Sequence, residues 1–244
     1  MASGQTGDAQ LAEYYLESGE YEKARLYYEK LYDQKPTSQN YKGLLESLRE
    51  LGEYKEAEKL VKKYSKRTNS NTVYIDLGEI YEAQGEDDDA LDAYREAIEE
   101  MPKSQGLVIR TANEFIRLNK LELALETYEK GKKLLAGRYP FSYEVASLYG
   151  TMGNKERMIS EYLDLLAYND AYLQTIQNAL NRSINFEDDE EGVELLRTEL
   201  LRRVQKNPDS VIYAEMLIWL FLQDQQFNSA FIQLRALDKR LGED

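Results

Sequence analysis

The sequence predicts an all-α protein built as a stack of helical hairpins. Three observations lead there. A hexapeptide recurs at a fixed period, GEYEKA at 19–24, GEYKEA at 52–57 and GEDDDA at 85–90, so that Gly19, Gly52 and Gly85 stand 33 residues apart, as do Ala24, Ala57 and Ala90. Apolar residues on both sides of each glycine fall at steps of three and four, which makes one apolar stripe per helix. Only four prolines occur (Pro36, Pro102, Pro140 and Pro208), and no Pro/Gly/Ser-rich linker divides the 244 residues. One continuous architecture over 8–244 is therefore expected.

The elements follow from the glycine register. Ahead of the glycine, each of the first three units carries an apolar residue eight places earlier (Leu11, Leu44, Leu77) and another four places earlier (Tyr15, Leu48, Tyr81). Behind it come the alanine at +5, a large apolar residue at +9 (Tyr28, Val61, Tyr94) and another apolar residue at +12 (Leu31, Tyr64, Ala97). Glycine closes the first helix because it enters the left-handed conformation without a Cβ clash. Alanine at +5 sits where the two helices meet, and a larger side chain there overpacks the contact by roughly 1–3 kcal/mol. Pro36 and Pro102 end the first and third units, since proline cannot continue a helix.

These markers resemble the tetratricopeptide repeat, whose period is about 34 residues. The third unit carries them most fully, in Tyr74, Leu77, Gly78, Tyr81, Gly85, Ala90, Tyr94, Ala97 and Pro102. The fourth puts Asn119 in the glycine place and keeps Phe115, Ala124, Tyr128 and Gly131; the fifth keeps Ala146, Tyr149, Gly153 and Tyr162, with Met158 in the alanine place, a swap that implies a wider helix pair. The sixth is degenerate, with SINFEDDEE (183–191) inserted between its helices, and the seventh recovers in Leu217, Phe221, Ala230, Leu234 and Leu237. Units are placed near 8–37, 38–70, 71–104, 105–138, 139–170, 171–210 and 211–244. Residues 1–7 are read as a cloning scar and a disordered start. About seven stacked hairpins imply a right-handed α-α superhelix with a concave groove lined by the first helix of each pair.

Composition narrows the function. The net charge of −14 opposes binding to a phosphate backbone. Basic stretches at 60–67 and 200–206 fit helix C-terminal turns, where cations favour the dipole. The chain has neither cysteine nor histidine, so it lacks a thiolate nucleophile, the usual neutral-pH base and the commonest zinc ligands. No apolar run reaches the ~20 residues of a membrane span. The acidic runs at 86–90 and 186–192 fit helix capping or a solvated loop, not a calcium loop. No cofactor, metal or catalytic residue is expected.

What the resemblance implies is a non-enzymatic scaffold that binds a protein or peptide in its groove. Groove positions include Glu13, Glu46 and Glu79 at steps of 33, with Glu17, Glu50 and Glu82 nearby. Either they form an acidic surface for a basic segment or they are a solvated helix face. In the fourth unit Arg110, Asn113 and Arg117 share a helix face, which fits a carboxylate or phosphate, or else a polar face offset by glutamates. Trp219 takes the equivalent place in the seventh unit. The Lys and Asn pattern with which similar chaperone adaptors hold a C-terminal carboxylate is missing around Lys42, Gly43, Glu46 and Asp76. Alternatives are a targeting arm of a larger multidomain protein or enzyme, and self-assembly. The apolar run Ile218–Leu222 is expected to be a homodimer surface or to be covered by further repeats beyond 244. The first residues resemble the mature start of exported bacterial repeat proteins, which implies the periplasm or cell envelope, with the cytoplasm as the alternative.

Overall fold

The computed structural model describes residues 2–242, with side chains described for 7–242. By its internal contacts the chain divides into two compact units, residues 1–135 and 136–244. The first holds α1 (Ala2–Glu17), α2 (Tyr21–Gln34), α3 (Ser38–Glu50), α4 (Tyr54–Ser65), α5 (Thr72–Gln84), α6 (Asp87–Glu99), α7 (Gln105–Arg117) and α8 (Leu121–Leu134). The second holds α9 (Ser142–Thr151), α10 (Lys155–Tyr168), a 3-10 turn (Asp170–Tyr172), α11 (Leu173–Ser183), α12 (Glu190–Lys206), α13 (Val211–Gln223) and α14 (Phe227–Leu241). Among the described residues there is no strand, and no helix is long and apolar enough to cross a membrane. Helix α1 begins at Ala2 and so takes in the stretch expected to be a disordered start.

The punctuation works as its chemistry requires. Gly19, Gly52, Gly85 and Gly153 take φ of +69 to +76°, and Asn119 substitutes at φ 56°. At each turn the amide just after the left-handed residue reaches back into the helix, as Glu86 N does to Tyr81 O at 2.9 Å, which satisfies a terminal carbonyl. In the seventh hairpin the same left-handed place falls to Gln225, φ 55°, for which the sequence carries no marker.

The alanines at +5 are sealed: Ala24, Ala57, Ala90 and Ala124 are buried at the crossing of their pairs. Met158 occupies that place on α10, and its room is supplied by Gly150 on α9, where an added Cβ would stand 3.1 Å from the Met158 sulfur. Close approach also explains two glycines within helices. A Cβ on Gly43 would lie 2.3 Å from the Tyr28 ring, and one on Gly78 would lie 2.3 Å from the Tyr94 ring. Each ring thus packs flat on backbone, the apolar body inside and the hydroxyl at the edge.

Candidate protein-binding face

In the first unit, the opening helices of successive hairpins present a charged face. Glu79 on α5 is its centre. It is 7% exposed and held from both sides, by Arg49 of α3 at 3.0 Å and by Arg117 of α7 at 3.2 Å. Arg117 also donates to Glu114 at 3.0 Å, and Glu114 in turn faces Lys42 of α3 at 3.6 Å. Lys42 therefore reaches across α5 to a helix two hairpins on. Helices α3, α5 and α7 thus share one network of charged side chains.

Below the salt bridges lies Asp76, half-buried on α5, whose Oδ2 accepts from the Tyr41 hydroxyl at 2.7 Å. Burial pushes its carboxyl up to about 6; the Tyr41 bond and Lys42 pull the other way, while Glu79 and Glu114 add to the rise. Further along, Glu82 accepts from the Tyr94 hydroxyl and from Lys120, each at 2.7 Å. The Lys120 bond is the main reason its carboxyl lies below the usual range.

The acidic row expected from the 33-residue period is thus divided. Glu79 is engaged by two of the chain's own arginines, because burial makes an unpaired carboxylate costly, and the exposed Glu82 pairs with Lys120. Glu13, Glu17, Glu46 and Glu50 remain exposed, with no ion pair among the described residues. Glu13 and Glu17 from α1 and Glu46 from α3 converge on the Tyr28 phenol; burial raises its pKa first and these three carboxylates add to it. The expected anion fork on α7 is not assembled: Arg117 is committed to Glu79 and Glu114, and only Arg110 and Asn113 stay exposed and unpaired.

Comparisons agree with the repeat register. Models of the tetratricopeptide repeat match residues 9–38 and 72–104. These two stretches are tetratricopeptide repeats. No curated protein matches the sequence. Among solved structures, it is similar to the MamA protein (17% identity, TM-score 0.36, covering 71% of this chain and 96% of that one). It is also similar to a tetratricopeptide repeat protein from Parabacteroides merdae (14%, TM-score 0.35, covering 97% and 93%). A third is the TPR2AB domain of yeast Sti1 in complex with pHSP90 (14%, TM-score 0.37, covering 98% and 91%).

In the second unit, the repeat spacing places Trp219 on α13. It is half-buried and stacks edge-on against Phe186 at 5.6 Å, so the inserted segment 183–191 covers it. The same packing answers the apolar run 218–222, where Leu220 and Phe221 are buried in the unit's own core and only Leu222 is well exposed. The insertion's acidic run also has a structural task. Asp189 caps α12 by accepting from Gly192 N at 3.0 Å, and it pairs with Lys155 at 2.7 Å. In the run at 86–90, Asp87, Asp88 and Asp89 fill the first turn of α6, while Glu86 makes no side-chain cap bond.

One buried cation escaped the sequence reading. Arg203, in the stretch assigned to a helix C-terminal turn, is 7% exposed. It pairs with Asp164 and Glu199, each at 2.7 Å, and donates to the Tyr213 hydroxyl at 3.1 Å and the Ser160 carbonyl at 3.1 Å. Its only sequence signal is its place between Leu200 and Val204 on the apolar side of α12, a signal easily outweighed by the neighbouring Arg202 and Lys206.

Proposed function

We propose that the chain is a scaffold that docks a basic peptide segment on the face formed by α1 and α3, with Glu13, Glu17, Glu46 and Glu50 as the recognition carboxylates. Tetratricopeptide repeats in general serve protein–protein interaction; the choice of face and ligand class is the further step. The observation that carries it is the contrast along one row. Carboxylates of α5 that share the register are neutralised internally, whereas those of α1 and α3 are exposed, unpaired and gathered around the Tyr28 hydroxyl. Exposed carboxylates in a cluster repel one another, and an incoming cation relieves that repulsion while raising the association rate.

The test is fluorescence anisotropy with a labelled Lys/Arg-rich peptide at low salt. Wild-type protein should bind with an affinity that falls as salt is raised, and the pair Glu13→Lys, Glu46→Lys should lose binding by tenfold or more, on the order of 1.4 kcal/mol. Equal affinity of the two proteins at low salt would remove the α1/α3 face from consideration.

A further inference from the structure

Six buried side-chain atoms lack a hydrogen-bond partner among the described residues, and two of them, the Tyr32 hydroxyl and Arg25 Nε, belong to residues lining one groove of the first unit. The groove runs between α2 and α4, lined on its apolar side by Leu44 and Leu48 of α3 and Leu60 of α4, and its volume is about 350 Å³. That size suits a small molecule. Tyr32 is 2% exposed, and a buried hydroxyl without a partner has lost the hydrogen bonds that water supplies to the unfolded chain. Arg25 donates through Nη1 to both oxygens of Glu53, at 2.8 and 3.1 Å, which leaves Nε unused. The two residues stand two turns apart on one side of α2. Each unmet group can donate, and Arg25 Nε can do nothing else, so what satisfies them brings acceptor oxygens.

Charge favours the Tyr32 end for an anionic oxygen. Lys63 Nζ lies 5.4 Å over the Tyr32 ring and reaches Asp33 only at 3.6 Å. Both members of that pair are well exposed, so it contributes little, and Lys63 can turn from it to a better acceptor, uncovering the phenol as it does so. Arg67, exposed just past α4, is a second cation near the ring: burial raises the Tyr32 pKa first, and Arg67 opposes that rise. Two cations thus stand here against Asp33 alone. Towards Arg25 the charges are matched in pairs, Arg25 with Glu53 and Lys59 with Glu56, each at 2.8 Å or less, while Glu29 has no ion pair among the described residues. A second negative charge on a ligand would be repelled by Glu29, whereas the three buried leucines suit a hydrocarbon.

We propose that this groove binds a small apolar monocarboxylic acid, its carboxylate held by the Tyr32 hydroxyl, Lys63 and Arg67 and its hydrocarbon laid on Leu44, Leu48 and Leu60. Lys63 exchanges its loose contact with Asp33 for the ligand, and the phenol gains a charge-assisted hydrogen bond where it had none. The site stands apart from the peptide face proposed above, since Glu13, Glu17, Glu46 and Glu50 do not line the groove.

Hexanoate is the probe, titrated into the isotope-labelled chain and followed by amide chemical shifts, with hexanol beside it as the same hydrocarbon without the charge. Hexanoate should give saturable shifts confined to α2, α3 and α4, and hexanol should bind tenfold more weakly or not at all. Tyr32→Phe and the exposed Lys63→Glu should each weaken hexanoate by about tenfold or more. Without ligand, Tyr32→Phe should keep or raise the urea midpoint, because the hydroxyl it removes has no partner. Shifts that do not saturate or that spread over the chain overturn the proposal, as does an undiminished response in either variant. Equal binding of hexanol also overturns it, since that is apolar partition alone. A Tyr32→Phe chain that is destabilised or fails to fold does the same, because the hydroxyl would then have an internal partner. Peptide binding to the α1/α3 face is measured separately, so the two proposals can fail independently.

Discussion

Asp76→Asn should stabilise the first unit at neutral pH. The Asp76 carboxyl is pushed from 3.8 up to about 6, with burial as the first cause. The sign follows from proton counting. Between about pH 4 and 6 the folded chain holds a proton that the unfolded chain has released, so stability falls as pH rises through that window and is level above it. A displacement of roughly two pKa units at 1.36 kcal/mol each sets a ceiling of about 3 kcal/mol, and partial solvent access to Asp76 brings the expected value to about 1–2 kcal/mol. Asparagine has the same shape, carries no charge, and keeps an oxygen to accept from the Tyr41 hydroxyl now 2.7 Å away. Urea unfolding followed by circular dichroism should find the two proteins alike near pH 4 and the variant more stable near pH 7. If the wild type is the more stable at neutral pH, or the difference is the same at both pH values, burial does not govern this carboxyl and the reasoning fails.

Three other outcomes are expected. Glu79→Ala leaves Arg49 and Arg117 without their shared acceptor; breaking a fully buried pair costs about 3–5 kcal/mol, and the partial exposure of both arginines reduces this to about 1–3, read as a lower urea midpoint. Gly43→Ala puts a methyl group 2.3 Å from the Tyr28 ring and should cost about 1–3 kcal/mol, whereas Gly106→Ala, which meets nothing within 4 Å, should be neutral or slightly stabilising in its helix. Arg203→Met should destabilise less than Arg203→Ala, because methionine fills the volume in contact with Tyr213 while alanine leaves a cavity; thermal unfolding of the two variants side by side measures the difference.

The hairpins were legible because their signals are local. A left-handed residue every 33 positions and a stripe at steps of three and four state where each helix ends and which side it buries, and neither needs knowledge of a neighbour. Gln225 is the exception that tests the rule: it takes the left-handed turn without a glycine or asparagine, at φ 55°. Met158 is similar, since its size in an alanine place makes sense only once Gly150 is seen opposite.

The candidate site was legible only in part. Glu13, Glu46 and Glu79 are equivalent in sequence, and the period places them in one row. Yet Glu13 and Glu46 face water while Glu79 is enclosed by two arginines. Arg117 and Trp219 were likewise placed on the correct helices but lie in contacts, with Glu79 and with Phe186, that join residues tens of positions apart. Periodicity assigns a residue to a helix and a side, because backbone geometry repeats with the chain. Whether its charge is free or neutralised depends on which distant side chains the packing of the helices brings within 3–4 Å, and only the folded unit decides that.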